Sequence, residues 1–454
     1  MRMPAHYNAI AIAGSVAMLT ILALPALAHD PHGPLHERHQ APSRTDPVDA
    51  GADRHASSAS DSFRSRSGWS IDVGAAVTWR SHGVDESDTG FTLPSILEGE
   101  HGYTLRKGFA LDDVHAGIEH RAETGFGPFR TRLALAYHGA ETHSHGIELG
   151  AAFIEQGFSR PSETFTTIRA GWFVPGFSRL LTEHGAHSPF SERPLGAVAL
   201  FDGHAHDLGL QFHHHRSCSN GCVSVLAELL RGETVPATPG QGLATVRLTW
   251  RSEDSIETVF GHLPRAAVTG WAAQGRARER LSGHTHGGQE PGFIENLSRF
   301  TGDTRVFGAE FIAASPPLIK KRSEPVHAWL RLDIGRSSPD GTLSSSGRSA
   351  RYRADQDFLH FEAGTGTPRA ALTARFERLR GDHRLSGVNA ALVAERAGLF
   401  PLAEQALDRT TIALGTHVSD SVRMRVEWVD DRVRQDRDQR VNVGLIWNFS
   451  HRFQ

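Results

Sequence analysis

Strict alternation of apolar and polar residues runs through this chain, and residues 69–79, WSIDVGAAVTW, show it first. Trp69, Val73 and Trp79 fall on one face of an extended segment, whereas Ser70 and Asp72 fall on the other. A period of two predicts a β-strand with one face toward an apolar environment. The same pattern returns in residues 129–137, 243–250, 326–334 and 422–428.

The length of these segments favours a membrane wall over a soluble sandwich. Strands of soluble sheets usually have about five or six residues. Many segments here run to about ten or eleven, the length that crosses a bilayer at a tilt. Apolar residues then face lipid and charged residues face the interior. Closure of the sheet leaves no backbone group unpaired in lipid. The predicted fold class is therefore all-β, a transmembrane antiparallel β-barrel.

Sixteen predicted strands account for the alternating segments, and their connections differ in length. Every second connection is short, as in 217–221, while the others are mostly long, as in 176–205. Outer-membrane barrels show this asymmetry, with short periplasmic turns and long external loops. Residues 386–396 are assigned to an external loop, in helical form, because a strand there would invert the order. The predicted strands are residues 69–80, 109–121, 128–138, 146–156, 164–175, 206–216, 222–231, 241–251, 255–263, 305–314, 325–335, 356–363, 369–380, 409–417, 421–430 and 440–453.

The beginning of the chain predicts export. Arg2 precedes an apolar run over residues 9–24, and Ala26 and Ala28 then offer a cleavage site. Residues 1–28 are therefore expected to be a secretory signal peptide, with a membrane anchor as the alternative.

The remaining chain divides into two parts. Residues 29–66 are polar and rich in histidine, and they are expected to form a disordered periplasmic segment. Residues 67–454 are expected to form the barrel. The last predicted strand ends in Phe453, which resembles the terminal aromatic signature of outer-membrane proteins, although Gln454 follows it.

Charge and motifs exclude several functions. The 48 basic and 51 acidic residues give a net charge of −3, which shows no bias toward nucleic acid. The motifs G-x-S-x-G and H-E-x-x-H and a phosphate-cradling loop do not occur, so we predict no enzymatic activity. A Ser–His pair assembled inside the barrel is the enzymatic alternative.

Cys218 and Cys222 are the two cysteines of the chain. An exported protein enters an oxidising compartment, so the pair is predicted to form a small-loop disulfide. A metal-binding pair and two free thiols are the alternatives.

Residue parity along the predicted strands places charged side chains of both signs toward the interior. One interpretation is a wet lumen of mixed charge, and the other is a basic ladder that guides anions. The predicted pore-lining residues on the strands are Arg130, Arg132, Arg169, Arg247, Arg423 and Arg425.

Residues 169–212 resemble the phosphate-selective porin family. A Gly-x-Phe-x-Pro-x-Phe-like turn is matched by Gly171, Phe173, Pro175 and Phe177. An aromatic-x-Glu-Arg-like element is matched by Phe190, Glu192 and Arg193. The opening of the next strand is matched by DLGLQF at residues 207–212. This chain would be a His-rich variant of that family.

The resemblance implies a sixteen-stranded, trimeric porin whose third external loop, residues 176–205, folds into the lumen and narrows it. Members of the family select anions with basic residues at that constriction. The loop of this chain also carries acidic residues, which puts phosphate selectivity in question. It adds to the predicted pore lining Glu183, Glu192, Arg193 and Asp202.

Histidine is unusually frequent, with 28 residues, and it often occurs as His-x-His. Two such rings share one face of an extended segment, and neutral imidazole binds Zn²⁺, Cu²⁺ and Ni²⁺. The alternative is that histidine is tolerated in wet loops. No cofactor is expected to be required, but weak, exchangeable binding of zinc is expected. The predicted metal ligands are His29, His32, His36, His39, His143, His145, His184, His187, His204, His206, His213, His215, His284 and His286.

These patterns predict a homotrimeric porin of the bacterial outer membrane that lets small solutes diffuse passively and favours divalent metal ions, zinc first. An anion or phosphate porin is the alternative of the same class. A metal-binding surface or structural barrel without an open channel is the alternative of another class.

Overall fold

The computed structural model describes residues 67–83, 107–137, 147–160, 164–182, 188–201, 206–218, 221–232, 241–281, 298–319, 324–397, 405–432 and 438–453. The predicted signal peptide and the predicted disordered segment lie outside these residues.

Sixteen antiparallel strands form one closed barrel, as predicted. The first and last strands close it, with Trp69 opposite Phe453 and Arg80 opposite Asn442. The strands are β1 (Gly68–Arg80), β2 (Gly108–Thr124), β3 (Gly127–Tyr137), β4 (Ile147–Arg160), β5 (Thr164–Phe173), β6 (Asp207–Cys218), β7 (Gly221–Leu230), β8 (Leu243–Arg251), β9 (Ser255–Thr258), β10 (Gly261–Pro264), β11 (Ala266–Leu281), β12 (Arg299–Ala314), β13 (His327–Ser345), β14 (Arg348–Gly366), β15 (Ala370–Ser386), β16 (Gln405–His417), β17 (Val422–Asp431) and β18 (Asp438–Phe453). The strands β9 and β10 form a separate two-stranded hairpin. Two short helices are α1 (Leu195–Phe201) and α2 (Ala390–Arg396).

The predicted ninth strand, residues 255–263, is wrong. Those residues form the β9–β10 hairpin, and the ninth wall strand is β11, inside a predicted loop. On β11 the buried, inward face carries Trp271 and Ala273, while the exposed, outward face carries Ala272 and Gln274. Because the bulky apolar side chain points inward, the pattern of an apolar outer face is missing from this segment.

The predicted loop 336–355 is also wrong, because β13 and β14 continue through most of it. Polar side chains such as Arg336 replace apolar ones at outward positions there, although the backbone ladder persists. The strands join at Ser346 and Gly347, which both have positive φ angles of 47° and 73°. That geometry is the tight hairpin turn that matches the twist of the two strands. The predicted helix within 386–396 is confirmed by α2.

The outside of the wall is apolar. On β6, Leu208, Leu210 and Phe212 point outward and are exposed, whereas the alternating residues Gln211 and His213 point inward. A closed barrel with such an outer face pairs its backbone groups internally and presents hydrocarbon to lipid, which is the architecture of outer-membrane barrels. Among the described residues, no helix combines the length and the apolar character that crossing a membrane requires.

The connection between β5 and β6, residues 174–206, is here called the lumenal segment, and its described parts fold into the barrel. Phe177 packs edge-on against the inward side chain of Trp271 on β11, with 5.6 Å between ring centroids. Phe201 of α1 lies in the same cluster, together with Phe358 of β14. The expected inward folding of the third external loop is therefore confirmed. An apolar core forms inside the barrel, where a simple pore would hold water.

Candidate functional site

Glu192, near the middle of the lumenal segment, joins this segment to the barrel wall. Its carboxylate accepts hydrogen bonds from Arg440 Nε at 2.8 Å and from Arg409 Nη1 at 3.0 Å. Asn442 Nδ2 donates to the same carboxylate at 3.1 Å. Glu192 is 4% exposed, so it does not line a water-filled constriction as predicted. It anchors the lumenal segment to β16 and β18.

Four inward arginines surround this part of the lumenal segment, and we call them the arginine clamp: Arg375, Arg409, Arg425 and Arg440. Arg375 donates to the backbone carbonyl of Glu192 at 3.0 Å, and Arg425 donates to that of Ser188 at 3.3 Å. Arg409 also donates to the carbonyl of Arg193. All four side chains have no exposed surface. Arginine suits this role because its planar fork of donors satisfies several oxygens at once.

Wall carboxylates complete the anchoring. Glu427 accepts hydrogen bonds from the backbone N–H and the hydroxyl of Ser191, at 2.8 and 2.9 Å. Glu377 accepts from the backbone N–H of Leu195 at 2.7 Å. At the near end of the segment, Glu228 accepts from the N–H of Gly176. The lumenal segment is thus tied to strands around much of the barrel.

On the neighbouring wall, β1 to β3, two inward arginines keep part of their surface in contact with water. Arg132 is 30% exposed and Arg121 is 17% exposed, whereas the arginine clamp is fully covered. Both residues lie toward the end of the barrel where β2 turns into β3 at Gly125 and Phe126, here called the short-turn end. The partly exposed inward charges of β1 to β3 therefore lie near the short-turn end, whereas Arg80 and Asp112, farther along β1 and β2, are buried.

Three arginines share one carboxylate on this hydrated wall. Glu119 lies 2.6 Å from Arg121, 3.8 Å from Arg130 and 3.5 Å from Arg132. Arg132 also contacts Asp72 at 3.0 Å. Arg130 lies closer to Glu155, at 3.2 Å, and Glu155 also pairs with Arg169. Four guanidinium groups thus face three carboxylates, and this excess of one positive charge favours anions.

The predicted pore-lining arginines all face inward, as parity required, but they differ in surroundings. Arg169 is buried and pairs with Glu155 at 2.6 Å. Arg247 donates to the carbonyl of Gly176, and Arg423 donates to the carbonyl of Val259. Arg425 is covered by the lumenal segment. The backbone carbonyl of Arg193 belongs to the anchored stretch.

Other predicted pore-lining residues, Glu183 and Asp202, lie outside the described residues. Sequence reasoning missed the anchoring roles of Arg409 and Arg440. Arg409 and Arg440 are the first residues of the predicted strands 409–417 and 440–453. The alternation along these strands directs both side chains into the barrel.

Of the predicted metal ligands, three lie within the described residues: His206, His213 and His215. His213 and His215 both face inward on β6. His206 is buried beside the lumenal segment, where burial and the nearby charge of Arg193 lower its pKa to about 4. Across the parts of the chain that the structure describes, no group of three or more His, Cys, Asp or Glu side chains is placed to hold a metal ion. The predicted ligands outside the described residues are His29, His32, His36, His39, His143, His145, His184, His187, His204, His284 and His286.

The predicted disulfide is absent from the structure, because Cys218 and Cys222 are both free thiols. In the β6–β7 hairpin, Cys222 lies opposite Ser217, so Cys218 is one residue out of register with it. Neighbouring residues of a strand point to opposite faces. Cys222 is therefore buried inside, where Arg251 Nε donates to its sulfur at 2.9 Å, and Cys218 is exposed on the outside.

No protein-family model matches this chain. No curated protein sequence matches it either. The resemblance to phosphate-selective porins therefore stays an expectation.

Several solved structures are similar in fold. A loop-deletion mutant of OmpT, an outer membrane protein of Vibrio cholerae, has 10% identity and a TM-score of 0.49, over 85% of this chain and 99% of that one. The outer membrane channel DcaP of Acinetobacter baumannii has 12% identity and a TM-score of 0.45, over 84% and 97%. OprB of Pseudomonas putida has 11% identity and a TM-score of 0.38, over 85% and 94%. This protein is a β-barrel of the bacterial outer-membrane type, by its closed wall and apolar exterior.

Proposed function

We propose that this protein is a porin, a non-enzymatic outer-membrane channel through which small hydrophilic solutes diffuse passively. The observation that carries the proposal is the uneven hydration of the inward charges. Arg121 and Arg132, near the short-turn end of β2 and β3, remain partly exposed, whereas the arginine clamp is fully covered. If protein filled the lumen along its whole length, the arginines of β2 and β3 would be buried like the arginine clamp.

The lumenal segment would then act as the selectivity filter of this channel. It packs an apolar core inside the barrel, and it would confine solutes to the wall that carries Arg121, Arg130 and Arg132. Small solutes would exchange part of their hydration shell for these charged groups during passage. The core would exclude larger solutes by its bulk.

Two finer proposals concern charge. The arginines that share Glu119 support a preference for anions. The inward pair His213 and His215 supports transient binding of divalent metal ions, zinc first, within the lumen. The two effects are compatible, because the arginines set the field while the imidazoles bind selected cations weakly. A homotrimer is the proposed assembly, by the resemblance to porins.

Reconstitution into planar lipid bilayers tests the channel. We expect stepwise currents in potassium chloride and faster swelling of liposomes in small sugars than in larger ones. An absence of current from correctly folded protein would overturn the porin proposal and favour the structural barrel without an open channel.

A further inference from the structure

The β9–β10 hairpin connects two neighbouring wall strands, β8 and β11, at the short-turn end. Such a connection needs only a few residues, yet this one runs from Ser252 to Arg265 and contains two strands of its own. Its base is already closed, since the N–H of Arg265 donates to the carbonyl of Asp254 at 2.9 Å. The ten residues of the hairpin, Ser255–Pro264, are thus additional to the wall.

The tip of this hairpin lies against the far wall. Arg423 Nη1 on β17 donates to the carbonyl of Val259 at 3.2 Å. The ring of Phe260 lies over Gly415 on β16, where a Cβ added to the glycine would collide with it. Four wall strands, β12 to β15, separate β11 from β16. The hairpin therefore bridges the mouth of the barrel.

The body of the hairpin is packed as a small core of its own. Ile256 and Val259 are 2% and 1% exposed, although a hairpin in a surface turn would leave them in water. They pack with the inward side chains Trp329 and Ala371 on β13 and β15. Because burial of apolar side chains is favourable, this packing stabilises the hairpin in its position across the mouth.

At the same end of the barrel, the other half of the mouth carries the exposed arginines of β2 and β3. Arg121 and Arg132 lie on the wall that the hairpin leaves uncovered. The apolar hairpin and the charged wall thus divide the mouth between them.

We propose that the β9–β10 hairpin is a second constriction, which covers the β13–β17 side of the short-turn mouth and directs solutes along the arginine-bearing wall. The proposal rests on the channel function proposed above. The lumenal segment would narrow the pore inside the barrel, and the hairpin would narrow it again at the mouth. Phe260, seated over Gly415, fixes the width of this second opening.

Single-channel recording of a shortened protein tests the constriction. Residues 255–264 are replaced by Asn-Gly, which closes the base that Asp254 and Arg265 already form. We expect the conductance to rise roughly two-fold or more, because current is limited by the narrowest water-filled region. Leu318→Ala is the matched control. Leu318 is a large apolar residue in another turn of the same end, it is 59% exposed, and its truncation should leave the conductance unchanged.

Point variants keep the test independent of the deletion. Phe260→Ala removes the ring and should raise the conductance, whereas Gly415→Leu pushes the ring away from the wall into the opening and should lower it. Three other outcomes are distinct. A conducting native protein whose three hairpin variants conduct equally overturns the constriction and leaves the channel intact. If the variants conduct and the native protein does not, the hairpin closes the pore completely, and passive diffusion through the native protein is overturned. If neither the native protein nor any variant conducts, both the channel and the constriction proposals are overturned.

Discussion

Arg440 and Glu192 form a two-point ion pair although 248 residues separate them in the sequence. Nε donates to Oε1 at 2.8 Å, and Nη2 donates to Oε2 at 2.6 Å. Both side chains are almost fully covered. Paired donors of this kind give directional as well as electrostatic stabilisation. The last strand of the wall thereby holds the segment that fills the lumen.

Neutralising this anchor should loosen the lumenal segment. Glu192→Gln removes the carboxylate that the two guanidinium groups share, while Arg409 keeps Glu377 and Arg440 keeps Asp431. The cost should therefore fall below the about 3–5 kcal/mol of a buried charge left without any partner. We expect a lower unfolding temperature and larger, noisier single-channel currents. Asp357→Asn is the control, because Asp357 forms an equally two-point pair with Arg336, but that pair is about half exposed. Equal effects of the two substitutions would show that Glu192 has no special anchoring role.

Removing one exposed arginine from the hydrated wall should reduce the preference for anions. Arg132→Ala takes away a unit charge, which about 8 Å from a passing ion in water is worth about 0.5 kcal/mol, or roughly a two-fold change. The reversal potential across a salt gradient measures this ratio. Arg353→Ala, on an exposed position of β14, is the control and should leave the ratio unchanged. An unaltered reversal potential in Arg132→Ala would place the permeation path elsewhere.

Zinc should reduce the current reversibly if His213 and His215 bind it in the lumen. We expect the double variant His213→Ala/His215→Ala to lose this block, and a chelator to relieve it in the native protein. His451→Ala is the control, since His451 is exposed on the outer face of β18. Block that survives the double variant would assign zinc binding to other histidines.

Acid should destabilise the fold through His206. Its pKa is lowered from 6.5 to about 4, so the unfolded chain binds a proton before the folded chain does. The folded state therefore loses stability as the pH falls from about 6.5 to about 4, by up to about 3 kcal/mol. His206→Asn should show a shallower loss in heat-unfolding measured over this pH range. His262→Asn, at an exposed position of β10, should follow the native protein. Parallel curves for all three would contradict a buried, neutral His206.

Alkylation should show that the protein has two free thiols. Iodoacetamide added to protein unfolded without reductant should modify both Cys218 and Cys222, as mass spectrometry will show, because they lie on opposite faces of the wall. In the folded protein, exposed Cys218 should react faster than buried Cys222. If the mass of the protein stays unchanged, neither thiol is free, and the predicted disulfide is supported instead.

Periodicity predicted the wall well because the face of a strand residue is a local property. Arg130, Arg132, Arg169, Arg247 and Arg423 were assigned to the interior from parity, and all of them face it. The exception is β11. Its bulky apolar residue Trp271 points inward, so the apolar pattern assigns the lipid-facing side of this strand incorrectly. The β9–β10 hairpin was mistaken for a wall strand for a related reason, since its apolar residues alternate but pack within the lumen.

The sequence by itself thus determined a sixteen-stranded membrane barrel and the inward positions of its charges, whereas the inward folding of the third external loop was expected only from a family resemblance. Only the tertiary structure decided which inward charges stay hydrated. Arg425 and Arg132 are equivalent by parity, yet one is sealed beneath Ser188 and the other remains in water. The difference arises from segments that are distant in sequence and cross the lumen. Hydration at any position depends on what covers it, and a period of two carries no information about that cover.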